Sequence, residues 1–480
     1  MLRTSLPSPR DCRALALLLF FVSAGDASAQ RASPATAEPP RAALDALPWR
    51  HIGPAVFGGR IDDVEAVPAH PHTIFVGAAG GGLWRTTNNG VTWTPVFDAY
   101  GGSISIGDVA IAPSDPNVVW IGTGEPNNRQ SSTWGDGVYR SLDGGDTWEH
   151  MGLRDSHHVG RIVIDPRDPD IVFVAALGHL WGPNPERGLY RTKDGGKTWR
   201  QVLGVDDNTG AVDVALDPDG RTVYAATYQR RRRGFGFVGG GTGSGLWRSL
   251  DGGDTWERLG SGLPTGVIGR IGIAIAPSNS DIVYAVVEQR TAGGVYRSSD
   301  RGGHWTRMSA TNPRPMYYSQ IRVDPANPDR IWVLGTYLAL STDGGKTFST
   351  DGTGERIHVD HHALWIDPAD PAHMILGNDG GLFFTYDGTR NWEFIDNLPI
   401  GQFYDVDVDH REPYWLFGGA QDNGSWAMPS RTTALVGITN NDVLNLAYGD
   451  GFYATADLND PRWVFANSQS GRAYRVHLET

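Results

Sequence analysis

The chain has 480 residues, 40 % of them hydrophobic, with 41 Lys plus Arg set against 54 Asp plus Glu. A net charge of −13 excludes a nucleic-acid binder, whose phosphate contacts need clustered positive charge, and the apolar content excludes global disorder. The 63 glycines and 17 tryptophans favour turns and strands over helices.

In chain order, a separate object comes first. Arg3, Arg10 and Arg13 precede an apolar run over 14–24 that is too short to span a bilayer as a helix. Ala27-Ser28-Ala29 then offers small residues for cleavage, so 1–29 reads as a secretory signal peptide cut near Ala29. Cys12, the only cysteine, leaves with it and takes thiol and disulfide chemistry away. An Ala/Pro-rich leader follows over 30–48, and no later stretch reads as a transmembrane segment. The expectation is a secreted or periplasmic protein.

From residue 49 the chain repeats. SLDGGDTW at 141–148, TKDGGKTW at 192–199, SLDGGDTW at 249–256 and STDGGKTF at 341–348 are close copies. Looser ones begin at Thr86, Ser298 and Thr385, and the closing aromatics recur at intervals of 43 to 57 residues. Each copy follows a short alternating strand, as at 137–140. Two earlier apolar runs are divided by an Ala/Asp-Pro turn, as at 162–166, and a last strand follows the aromatic. Four short strands with no room for a helix predict an all-β fold, a β-propeller of four-stranded blades over 49–480. Seven repeats are clear and one or two more are degenerate. In each box the Asp accepts turn N–H groups and the glycines supply positive φ, so Asp143, Asp194 and Asp251 are read as structural.

Inner strands are predicted to begin near Asp63, Asp108, Arg161, Asp213, Ile271, Gln320, Ala363, Asp405 and Tyr453. Residues 49–53 match the outer strand at 148–152, so the N-terminal segment is expected to complete the last blade and close the ring. The competing expectation is the front part of a longer protein with a second ring.

These boxes on a four-strand frame resemble the bacterial neuraminidase or Asp-box repeat. Sialidases, xyloglucan-degrading hydrolases and sortilin receptors share it, and the even array looks closest to sortilin-like and xyloglucanase-like members. The resemblance implies the propeller and leaves the activity open. For the xyloglucan-degrading members it implies a catalytic Asp in the first blade, in a segment similar to R-T-D-x-G-G. Residues 76–83 carry alanine and glycine there, and the nearest lookalike is 377–382, with Asp379. No sialidase-type arginine triad can be picked out.

Long irregular insertions at 122–137, 178–188 and 227–245 share the face opposite the boxes, where binding loops belong. They supply Trp134, Trp181 and Tyr228 as platforms, with Asn127, Asn128, Arg129, Asp136, His179, Arg187 and Arg231 as hydrogen-bonding groups for polysaccharide or peptide. The arginine run 230–233 suits an acidic ligand group or a solvated loop face. Acids at the inner-strand starts, Asp63, Asp108, Asp213 and Asp405, would ring a central channel, holding a cation or lining it. On an extended strand His358, Asp360 and His362 would share one face and chelate a divalent cation. No cofactor is otherwise required.

For hydrolysis the candidate acids are Glu125, Asp379 and Asp422, with Asp63, Asp108 or Asp405 as partner. Serine or cysteine nucleophiles have no support. The first reading is therefore an exported, sortilin-like recognition propeller that binds glycan or peptide. The alternative is a glycoside hydrolase using a carboxylate pair on the same face, and a third is a structural module. Oligomeric state is not legible.

Overall fold

Near-continuous Val/Ile/Ala runs make the middle strands, because a strand covered on both faces must be apolar throughout. Asp115–Thr123, Asp168–Ala176 and Val283–Val287 end in such runs and are buried there. The outermost strands, such as Glu149–His150 and Glu257–Arg258, are two residues long and largely exposed. The computed structural model describes residues 50–53, 55–129, 132–350 and 357–479. The chain divides into two units, Met1–His51 and Ile52–Thr480, and all the strands of the described residues lie in the second. The signal-peptide and leader readings lie outside the described residues. No helix among the described residues is long and apolar enough to cross a membrane.

Among the described residues nine antiparallel sheets succeed one another in chain order, six with four strands, one with five and two with three. Their inner strands are Ile61–Val67, Ile106–Ala112, Val159–Asp165, Thr209–Leu216, Ile271–Ile275, Gln320–Val323, His361–Ile366, Phe403–Val408 and Gly451–Ala456. Each lies where the repeat placed it. The boxes also behave as read. Asp143 accepts from the Thr147 hydroxyl at 2.6 Å, from Thr147 N–H at 2.8 Å and from the Ser141 hydroxyl at 2.7 Å, and those bonds, the Thr147 hydroxyl first, hold its pKa down to about 2. The closing Trp148 packs edge-on against Phe97, just past the outer strand of the preceding sheet, with ring centroids 5.8 Å apart.

Ring closure differs from expectation. The first seven sheets share apolar layers in succession, as where Phe75 and Leu83 meet Ile106 and Val119. The seventh sheet shares one with the first, Ala363 and Ile375 packing on Ile61 and Ile74. The eighth and ninth sheets pack on each other through Phe417, Leu446 and Val464. Residues 50–53 form no strand, and Trp49 is outside the described residues. Because Ile61 is anchored on the seventh sheet, the segment before it leads to the eighth sheet, not the ninth. Ala55 N–H reaches Ile438 C=O at 2.8 Å, and Phe57 sits edge-on to Phe403 and Trp426.

The channel acids are also accounted for. Asp63, Asp108 and Asp213 accept backbone N–H groups of Val109, Ile162 and Ile273, each on the next sheet, at 2.9, 2.6 and 2.8 Å. Arg161 lies 3.1 Å from Asp108, 3.6 Å from Asp213 and 3.9 Å from Asp63. A protein guanidinium therefore occupies the position where the acids suggested a cation. Asp405, on the eighth sheet, is not part of this cluster.

Candidate functional site

Glu125, Asp379 and Asp422 occupy one topological position in three sheets, just after the second strands Asp115–Thr123, Met374–Asn378 and Trp415–Ala420. All three converge on Arg60, which is 3 % exposed at the entry to the first inner strand. Its Nε and Nη2 donate to the two oxygens of Asp379, both at 2.6 Å. Nη2 also meets Asp422 at 3.2 Å, and Nη1 meets Glu125 at 3.3 Å. Gly58 lets the segment in. At φ +79°, a β-carbon there would lie 2.5 Å from Gly380 C=O and 2.8 Å from Asn423 Oδ1.

The three carboxyls do not share one protonation state. Burial pushes Glu125 up to about 7, and the Asp379 charge adds to it against Arg60. Asp422 is pushed up to about 8 by burial, then by Asp379 and Asp450, and its hydrogen bond with Asp379 favours the protonated form. Burial opposes the charge on Asp379 as well, but Arg60 and His362 outweigh it and hold that carboxyl well below the usual range. His362 Nε2 lies 2.8 Å from Asp379 Oδ1, and its ring meets Tyr317 edge-on at 5.1 Å. One ionised acid thus stands among two that are poised near neutrality.

Only Asp422 is open to solvent, its side chain 25 % exposed against 4 % for Glu125 and 2 % for Asp379. Its N–H donates to Asp450 at 2.8 Å. Nearby Tyr404 is 48 % exposed and stacks on Phe452 at 5.1 Å, a flat apolar surface beside the acid. Together these groups can deliver a proton at a rim.

The expected metal cluster is not formed. Asp360 has φ 67°, so the segment before His361 is not extended and the three side chains diverge. Asp360 accepts the Tyr318 hydroxyl, His358 Nε2 bonds Asp422 C=O at 3.0 Å, and His362 serves Asp379. The two histidines buttress the carboxylate residues instead. Among the described residues, one group has ligand atoms close enough for a metal: Asp155, His157 and His179, within 4.8 Å of one another.

Several residues expected to contact ligand turn inward, because a buried polar group must find a partner. Asn127 donates to Asp62 at 2.7 Å, and Asn128 to the fully buried Tyr228 hydroxyl at 2.8 Å. Arg187 holds the carbonyls of Leu177, His179 and Gly182, while Asp136 accepts from Gly102 N–H and the Tyr139 hydroxyl. The arginine run belongs to a hairpin, Val223–Arg233 with Gly236–Gly239, not to a loop. Arg230 is buried there, Arg231 lies 3.3 Å from Asn208, and Arg232 stacks over Phe237. Arg129 lies at the margin of the carboxylates, 4.0 Å from Glu125.

Trp134, His179 and Trp181 do meet. They line a pocket of about 490 Å³ with His157, His158 and Thr133. His158 Nδ1 bonds Glu125 C=O at 2.8 Å and Glu125 N–H donates to Thr133 C=O at 3.0 Å, so the pocket abuts the carboxylate cluster. Arg60, Tyr404 and Asp450 were missed in the sequence. The Gly58-Gly59 pair before Arg60 was the only local sign of a close approach.

No known family profile matches the chain. Among curated proteins it is similar to a xyloglucanase of a Paenibacillus species, 24 % identical over 337 residues, covering 63 % of this chain and 32 % of that protein. A xyloglucanase of Acetivibrio thermocellus is 25 % identical over 349 residues, covering 62 % and 39 %. The chain therefore spans well under half the length of these relatives. Among solved structures, the GH74 xyloglucanase from Xanthomonas campestris has a TM-score of 0.64 at 18 % identity, covering 89 % of this chain and 67 % of that one. A GH74 enzyme of Niastella koreensis has a TM-score of 0.60 at 18 % identity, covering 88 % and 66 %. The fold is that of a glycosyl hydrolase-like β-propeller.

Proposed function

We propose that the chain is an exported glycoside hydrolase that cleaves a xyloglucan-type polysaccharide, with Asp422 as proton donor. The observation that carries this is the split protonation around Arg60: Asp422 is held as an acid to about pH 8 beside an ionised Asp379. Glycosidic cleavage needs such an acid and a second carboxylate. Asp422 gives its proton to the leaving oxygen as the bond to the anomeric carbon breaks. Water adds to that carbon, and its proton passes to Asp450, the neighbouring carboxylate at the rim. Asp379, saturated by Arg60 and His362, positions and tunes Asp422. Glu125 is held alongside. Tyr404 offers its ring to a sugar face. The similarity to xyloglucanases favours this reading over a peptide- or glycan-recognition propeller of sortilin type.

A reducing-end assay on xyloglucan tests it. New ends should appear, vanish in Asp422→Asn, and be partly restored by formate in Asp450→Ala. Folded protein that releases no ends, or an Asp422→Asn variant as active as the parent, would sink the proposal.

A further inference from the structure

A second cluster adjoins the aromatic pocket, apart from the Arg60 carboxylates. Asp155 and His157 come from the turn around Arg154–Ser156, ahead of the third sheet. His179 comes from the loop after that sheet's second strand, Asp168–Ala176. The two imidazoles stack at 3.7 Å and 28°, and Trp134 lies over His157 at 6.4 Å and 24°.

The arrangement is built rather than incidental. His157 is held at φ 54°, a left-handed conformation that a side chain disfavours. Asn184, 4 % exposed, fixes both segments at once: it accepts from His179 N–H at 2.9 Å and donates to Asp155 C=O at 3.1 Å. A β-carbon at Gly178 would strike Asn184 and Arg187, each at 2.4 Å, so the turn that aims His179 requires glycine. Nε2 of His179 is buried and has no hydrogen-bond partner among the described residues. A buried nitrogen without a partner is uncommon enough to need an explanation.

Two imidazoles and a carboxylate, with one side open, are a ligand set for a borderline divalent ion. We propose that Asp155, His157 and His179 bind one transition-metal ion of the zinc class, with an open coordination position facing the Trp134–Trp181 pocket. The ligand atoms now stand within 4.8 Å of one another. Bonds of about 2.1 Å need a tighter set, so the two stacked rings must splay to aim their nitrogens at one ion while the exposed Asp155 moves inward. An oxygen of a pocket ligand, or water, would complete the shell. The hydrolase reading does not depend on it.

The test is calorimetric titration of chelator-treated, untagged full chain with zinc chloride, paralleled by cobalt chloride followed in visible absorption. One equivalent of each metal should bind, with cobalt giving a d–d band. His157→Ala and His179→Gln should each weaken binding at least tenfold, Asn184→Ala several-fold, and His358→Ala not at all. Near-UV circular dichroism would confirm that each variant is folded. No uptake by folded parent protein would overturn the assignment. So would uptake unchanged in both histidine variants, or uptake lost in His358→Ala.

Discussion

Arg161 and Arg60 each gather three carboxylates, and the two sets are held in different ways. Around Arg161, Asp63, Asp108 and Asp213 each accept a backbone N–H from the following sheet, so every carboxylate staples two sheets together. Around Arg60, the side chains of Glu125, Asp379 and Asp422 receive no such backbone bond among the described residues. Their partners are side chains: Arg60 for all three, and His362 for Asp379. Both sets sit on a guanidinium, and burial pushes Asp63 and Asp108 up as well. A carboxylate that staples two sheets through the backbone is committed to structure, while Asp422, held by side chains and part-exposed, is open to a ligand. Residue type alone does not distinguish an acid of the scaffold from an acid of the site; its partner does.

The comparison breaks if the wrong cluster carries activity. Asp422→Asn should cut hydrolysis of xyloglucan about 10²- to 10⁴-fold, the usual worth of a general acid, with the thermal midpoint unmoved. Arg161→Met should do the opposite, costing about 3–5 kcal/mol in urea unfolding while folded molecules keep their turnover.

A pH series sharpens the contrast. Glu65, beside Asp63, is pushed up to about 8 by burial and then by Asp63. Its folded pKa lies above its unfolded value, so the stability it contributes is complete below the unfolded pKa and is lost as pH rises through about 8. In the proposed reaction Asp422 acts in its protonated form, so turnover should fall over the same alkaline range. Glu65→Gln should flatten the decline in stability between pH 5 and 8 and leave the activity limb in place. A shifted activity limb in that variant would merge the two clusters into one. The smallest expected effect is that of Tyr404→Ala, a rise in KM worth about 1 kcal/mol, roughly fivefold, with kcat little changed.

What was legible in the sequence was local. A box such as 141–148 closes its own hydrogen bonds within four residues, so spacing revealed the hairpins of the boxed sheets, and the Ala/Asp-Pro turns ahead of them placed the inner strands. Loop membership was also readable, which brought Glu125, Asp379 and Asp422 onto one short list. What joins them was not. Arg60 reaches Asp379 across 319 residues, and no pattern near residue 60 encodes that pairing. Asn128 and Tyr228 looked like ligand contacts because their mutual bond spans 100 residues. The histidine cluster failed for a smaller reason. Alternation along 358–362 assumed an extended chain, and Asp360 at φ 67° breaks it.

The reach of Arg60 also has a temporal side. Its partners lie 65, 319 and 362 residues further along the chain. During synthesis from the N-terminus, the arginine emerges early and waits for Asp379 and Asp422 to be made. Contacts of such separation are slow to close, because loop entropy must be overcome before they contribute. The carboxyl we propose as proton donor is therefore tuned only once the seventh and eighth sheets have docked on the entering segment. Until then a partly folded chain can hold most of its strands and still be chemically silent.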